Sequence, residues 1–207
     1  MTDITELKAS FGEIAHVHKG EEVNLNQIDP GLHRVMVGLG WDAPEEQEGM
    51  TVDIDASAFL LNRDGRVRQD TDFVFYNNLA TESGALKHHG DNTSGQGEGD
   101  DERIEVNLET LPYDVEKVSF TVSIHNAEER RQNFGVVQNA FIRIVNADTN
   151  AELARFDLSE DASEDTAMVF GELAREGMSW KFRALGIGTT GGLYRLARDY
   201  GVNVAPN

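Results

Sequence analysis

Residues 91–102 read Asp-Asn-Thr-Ser-Gly-Gln-Gly-Glu-Gly-Asp-Asp-Glu, so Asp91, Glu98, Asp100, Asp101 and Glu102 place five carboxylates in twelve positions with no Lys or Arg among them. Gly95, Gly97 and Gly99 interleave, and Gly90 precedes. Glycine lets a backbone turn sharply and aim carbonyl oxygens inward, while the carboxylates add charged oxygens at short spacing. Hard divalent cations want that combination. Ca²⁺, which takes roughly 6 to 8 oxygens in adaptable geometry, suits such a loop better than Mg²⁺. The other reading of the same stretch is a solvated acidic linker. An EF-hand is excluded, because the third, fifth and sixth positions are Thr93, Gly95 and Gln96 and the flanks alternate like strands.

A second carboxylate source lies upstream. Asp53 and Asp55 are two apart in an alternating run, so they share one strand face about 6 to 7 Å apart. From Asp42 to Asn62 the acids are Asp42, Glu45, Glu46, Glu48, Asp53 and Asp55, again without Lys or Arg. The run that follows Asp55 is mostly apolar. Carboxylates that become buried are normally paired or metal-bound.

The elements that must carry these residues are strands. Period-2 alternation marks Val35 to Trp41, Thr51 to Leu61, Asp72 to Asn78, Ile104 to Leu108, Val118 to Ile124, Ala140 to Val145, Leu153 to Leu158, Thr166 to Leu173 and Ser179 to Leu185, about nine strands. Asn62-Arg63-Asp64-Gly65 and Asp148-Thr149-Asn150 supply turn chemistry. Helical periodicity is confined to Leu193, Leu196, Ala197 and Tyr200, with Gly201 as a C-terminal cap, and to one or two polar turns over 127–133. The chain therefore reads as mainly β, a β-sandwich of two packed sheets with a few short helices. Residues 1–17 read as an N-terminal extension and 18–207 as the sandwich domain.

Composition narrows the function. The chain has 207 residues, 18 Lys and Arg against 37 Asp and Glu, and a formal charge of −19. Nucleic-acid phosphates and anionic lipid headgroups repel such a chain. With no cysteine it offers no disulfide, thiolate zinc site or thiol nucleophile. Residues 1–6 lack the basic and apolar run of a signal peptide, and no stretch approaches the ~20 apolar residues of a membrane span. A cytoplasmic protein without direct membrane insertion is expected. Gly186, Gly188 and Gly191 match a dinucleotide-binding glycine pattern, but no βαβ unit surrounds them, and a turn with a close backbone crossing is the preferred reading. Of the adjacent His88 and His89, plain loop surface is the simpler reading, and His125 ends a strand as a structural histidine.

In order along the chain, Gly38-Leu39-Gly40-Trp41-Asp42, the run from Asp53 to Leu61, the run from Asp72 to Asn78, and Gly90-Asp91-Asn92 through Glu102 resemble the signature blocks of the TerD family of tellurium-resistance and stress proteins. The likeness continues through His125 to Glu128, Asn133 to Gly135, Asn139 to Arg143, Trp180 to Ala184 and Tyr200 to Val204. The resemblance implies a β-sandwich that binds Ca²⁺, more than one ion, on acidic loops, and a cytoplasmic, non-enzymatic role in tellurite and stress resistance. It implies as ligands Asp53, Asp55, Asn92, Glu98, Asp100, Asp101 and Glu102, with Asp42, Asn77, Asn78 and Asp91 behind them. As partners it implies other Ter-type stress proteins and a TerC-like membrane protein, with no nucleic acid. The alternatives are a metal-dependent hydrolase, disfavoured because Arg103 is the nearest base to the loop in sequence, and a small-nucleotide-binding module.

Overall fold

Alternation becomes strand wherever both neighbours in the sheet can pair, and in the computed structural model it does so along most of the chain. The structure describes residues 14–42, 52–90, 99–158 and 164–204, together with the backbone of 2–3. One sheet has the spatial order β1 (Thr2–Asp3), β3 (Glu21–Asn24), β13 (Ser179–Thr189), β12 (Ala167–Glu176), β9 (Lys117–Ile124), β5 (Ile54–Leu61) and β6 (Phe73–Val74). The other runs β2 (Ala15–His16), β11 (Glu152–Asp157), β10 (Gln138–Asn146), β4 (Arg34–Asp42), β8 (Glu102–Asn107) and β7 (Leu86–His88). We call these the first and second sheets. Pairings are antiparallel except at β1–β3 and β2–β11, which are parallel.

The described residues thus form thirteen strands where the sequence pattern predicts about nine. The additions, β1, β2, β3 and β7, are too short to show a period. In the other direction, the run from Asp72 to Asn78 keeps only Phe73–Val74 as strand, because Phe75 and Asn78 exchange backbone hydrogen bonds and close a turn. The glycine run at 186–191 also differs from expectation. Gly186 and Gly188 lie within β13, and what approaches Gly188 closely is the Asp165 side chain.

The core sits between the sheets. Ile54, Ala56, Ala58 and Leu60 of β5, with Val118, Phe120, Val122 and Ile124 of β9, face Val35, Val37, Leu39 and Trp41 of β4. The opposite faces of β5 and β9 point outward, and part of that surface is roofed by the helix α3. Counting helices in chain order, α1 is Leu25–Ile28, α2 is Ala127–Arg130 and α3 is Gly192–Asp199. α3 and the segment after it bury Ala197 and Val202 on Phe59, Leu61 and Phe73. Its end is set by Gly201 at φ +88°, the left-handed conformation that a glycine adopts without steric cost. The residues sharing that outer face are polar but buried: Ser57 and Thr121 hydroxyls lie 2.7 Å apart, and Ser119 bonds the Tyr200 hydroxyl at 2.8 Å.

Charges on the outer face of β3, β13 and β12 are balanced locally. Glu22 accepts from Lys181 at 3.0 Å and Arg183 at 2.8 Å, and Arg183 reaches Glu172 at 3.2 Å. Burial alone would raise the Glu22 pKa, but the two cationic donors outweigh it and hold the carboxyl below its ordinary range. Among the described residues no helix is long and apolar enough to cross a membrane.

Phe120 is fully buried at the centre of the interface between the sheets. Phe120→Ala is expected to cost about 3 to 5 kcal/mol of unfolding free energy in urea denaturation.

Candidate metal centre

Among the predicted ligand residues in the described part of the chain, Asp42, Asp53 and Asp55 lie at one end of the sandwich, while Glu102 enters the core and Asn78 is used in its own turn. Trp41 and Ile54 line the same small apolar cavity, so the residues that flank them, Asp42 on the second sheet and Asp53 and Asp55 on the first, lie at a common edge. Asp91, Asn92 and Glu98 lie outside the described residues.

On the first sheet, Asp55 stands opposite Ser123 and is 7% exposed. Its Oδ2 is 3.5 Å from Nδ1 of His125, whose backbone N–H donates to the Asp53 carbonyl at 2.8 Å. The Oδ1 atom of Asp53 is buried with no hydrogen-bond partner among the described residues. An ionised oxygen in that state is costly unless something else meets it. A ladder of rings, Phe59, Phe73, Phe75, Tyr76 and His125, runs from beneath α3 to this point, with stacked centroids 4.4 and 4.3 Å apart in its first two steps. Asn78 is used within its own turn, donating to the Phe73 carbonyl at 2.6 Å, while Asn77 is exposed.

On the second sheet, the three consecutive acids take three different roles. Asp100 accepts from Arg143 Nε at 2.7 Å and Nη2 at 3.0 Å. Asp101 continues the β4–β8 ladder: its N–H donates to the Leu39 carbonyl at 2.8 Å and its Oδ2 accepts from the Trp41 N–H at 2.9 Å. Burial raises the Asp101 pKa; the Trp41 bond offsets part of this, and the nearby Asp100 and Asp42 charges push it further up. Glu102 points between the sheets, 1% exposed, with its Oε2 3.0 Å from His88 Nε2.

That contact corrects the expectation of a surface loop at His88. The residue is on β7 and buried, and its Nε2 also lies 3.2 Å from the Ala56 carbonyl across the sandwich. The Gly90 N–H donates to His88 Nδ1 at 3.2 Å, so the ring's proton resides on Nε2. His89 is the exposed member, 3.0 Å from Glu105. His88 was legible only in the alternation of Leu86 and His88 around Lys87. Arg143, which sequence distance from the loop hid, is the second functional residue missed. Its signal was the alternation of Phe141 and Arg143 on β10, next to the glycines of β4.

Gly38 and Gly40 are central to the arrangement. They sit on β4 between β10 and β8 and leave the outer face of that strand bare. A Cβ at Gly38 would collide with the Asp100 carboxyl, and one at Gly40 with the Phe141 ring and, at 2.9 Å, with the Gly99 carbonyl oxygen. The end of the acidic segment therefore lies flat in a glycine trough.

Among the described residues no three His, Asp or Glu side chains converge on one metal-sized point. The donors present are nevertheless all hard oxygens, with an orphaned buried oxygen at Asp53 and mutual repulsion at Asp42, Asp100 and Asp101. That chemistry fits Ca²⁺ and not a soft metal.

A strand-rich sandwich with an acidic end defines the class, and comparison with known proteins gives the family. The TerD domain model matches residues 14–200. The chain is 52% identical over 187 residues to a tellurium resistance protein TerD from Alcaligenes sp., covering 90% of this chain and 97% of that one. It is 51% identical over 186 residues to general stress protein 16U of Bacillus subtilis, covering 90% and 96%. A solved homologue of the telluride resistance protein TerD from Streptomyces coelicolor superposes with a TM-score of 0.64 at 23% identity, covering 85% of this chain and all of that one. This chain belongs to the TerD family.

A pH dependence follows from Asp101. A carboxyl whose folded pKa is raised favours the folded state fully only below the ordinary carboxylate range, and that contribution is lost as pH rises through the folded value. In chelator at neutral pH, Asp101→Asn is therefore expected to melt a few degrees higher than the parent chain, with the two midpoints converging as pH falls below the ordinary carboxylate range. Melting curves across pH 3 to 8 check this.

Proposed function

We propose that this TerD-family protein is a non-enzymatic, cytoplasmic Ca²⁺-binding stress protein of the tellurium-resistance type. The observation that carries the reading is the buried, unpartnered Oδ1 of Asp53, beside the nearly buried Asp55 and at the same end as Asp42 and Asp101. In that reading Asp53 and Asp55 hold a cation from the first sheet, and Asp42 and Asp101 do so from the second, which favours more than one ion. Carbonyls of the glycine-rich segment would complete the oxygen set. When bound, Ca²⁺ supplies positive charge to the carboxylates gathered around Asp53, Asp55 and Asp101. A non-catalytic role is supported by the use of nearby polar groups: His88 is committed to the Ala56 carbonyl and Glu102, and the Arg143 fork to Asp100 and Glu152. The lack of cysteine suits a reducing compartment.

Thermal melts in Ca²⁺ and in excess chelator test the reading. With Ca²⁺ near one hundred times Kd, the midpoint should rise by about 5 to 10 °C. Replacing Asp53 and Asp55 together by Asn should remove most of that rise. An unchanged midpoint in the parent chain sinks the proposal, as would saturable Mg²⁺- or Mn²⁺-dependent turnover of a phosphoester.

A further inference from the structure

We propose that Arg143 is the positioning residue of the calcium site, and that Asp100, its partner, is an anchor and not a ligand. This rests on the calcium reading above.

The arrangement is specific. Arg143 projects from β10 on the outer face of the second sheet and meets both carboxylate oxygens of Asp100, one through Nε and one through Nη2. Its remaining nitrogen, Nη1, donates to Glu152 on β11 at 2.9 Å. The fork is thus fixed on both sides. An exposed ion pair of this kind would count for little, but the Asp100 side chain is 7% exposed and Arg143 30%, and the bidentate geometry resists rotation.

The surroundings are shaped to receive the pair. Gly38 vacates the space that the Asp100 carboxyl fills, and Gly40 vacates the space taken by the Phe141 ring and the Gly99 carbonyl. The guanidinium of Arg155 stacks on the other side of Phe141, 3.8 Å from the ring centre, and is itself held by Asp157. One residue on, Asp101 is bonded to Leu39 and Trp41 of the same β4 strand. Four hydrogen bonds, from Arg143, Leu39 and Trp41, therefore hold Asp100 and Asp101 to the sheet.

Two consequences follow. Arg143 is shared between Asp100 and Glu152, so it offsets one of their two negative charges and fixes the Asp100 oxygens on its fork, and the ligand role falls on Asp101, Asp53 and Asp55. In addition, hydrogen bonds to protein partners restrain Asp100 and Asp101, which lowers the conformational entropy that binding must overcome. Arg143 would then set affinity without touching the ion, as outer-shell partners do elsewhere.

The test combines Asp100→Asn, Arg143→Gln, the double variant and Arg143→Lys. Calorimetric Ca²⁺ titration at 25 °C should show about tenfold weaker binding for each single change and no further loss in the double variant. Arg143→Lys should recover part of the affinity, because an ammonium can still reach one oxygen. Melts in chelator should show the same non-additivity, and Asp101→Asn should weaken Ca²⁺ binding more than Asp100→Asn. Abolished binding in Asp100→Asn with unchanged affinity in Arg143→Gln would make Asp100 a ligand and overturn the proposal, as would additive losses. If the parent chain binds no Ca²⁺, the calcium reading fails, while the melting cycle still decides whether the pair acts as one anchor.

Discussion

A β-strand sends successive side chains to opposite faces, and that alternation decides what each acid on a strand of this protein can do. Asp53 and Asp55 fall on the outer face of the first sheet, in step with Ser57 and out of step with Ile54, Ala56 and Ala58 of the core. Of the consecutive Asp100, Asp101 and Glu102 only Glu102 belongs to β8, and a bend at Asp101 lets Asp100 and Glu102, two apart, take opposite faces. The first lies on the outer face, the second extends a ladder, and the third enters the interior. A single insertion between Ile54 and Ala58 would shift the pairing of β5 by one residue and exchange its outer and core faces.

The distribution of positive charge is as informative as the acid excess. Arginines and lysines on the outer face of β3, β13 and β12 are spent on Glu22 and Glu172, and Arg34 on Glu105 and Asp148. At Asp101 the neighbouring charges of Asp100 and Asp42 are of the same sign and push its carboxyl toward the neutral form. The protein's negative charge is therefore uneven in its consequences: over much of the surface it is matched within a few ångströms, and at the loop end of the sandwich it accumulates.

Much of the architecture was legible because β4, β5, β9, β10, β12 and β13 are long enough to display a period, and the site's location was legible because Asp53-x-Asp55 breaks an otherwise apolar run. The rest depends on partners distant in sequence. Nothing local to His88 says that β7 will lie against β8 and face Ala56 across the core. Nothing in the acidic segment announces Arg143, which reaches it only because β10 and β8 flank the same strand. The glycines of β4 were visible as residues but not as a trough, since a missing side chain acquires meaning only from what lies on top of it. The turn at Phe75 to Asn78 defeated the pattern for a related reason: four residues with strand-like composition are closed by their own backbone bonds.

The short strands near the beginning of the chain impose an order on assembly. β2 joins β11 and β3 joins β13, so residues made first find their places beside residues 152–157 and 179–189, which are made late. During synthesis these early segments must wait unpaired while more than a hundred residues are added. β11 and β13 thereby gain outer neighbours from segments far upstream, and the two-residue strands β2 and β1, too short to template a long pairing, stand at those margins of the sheets.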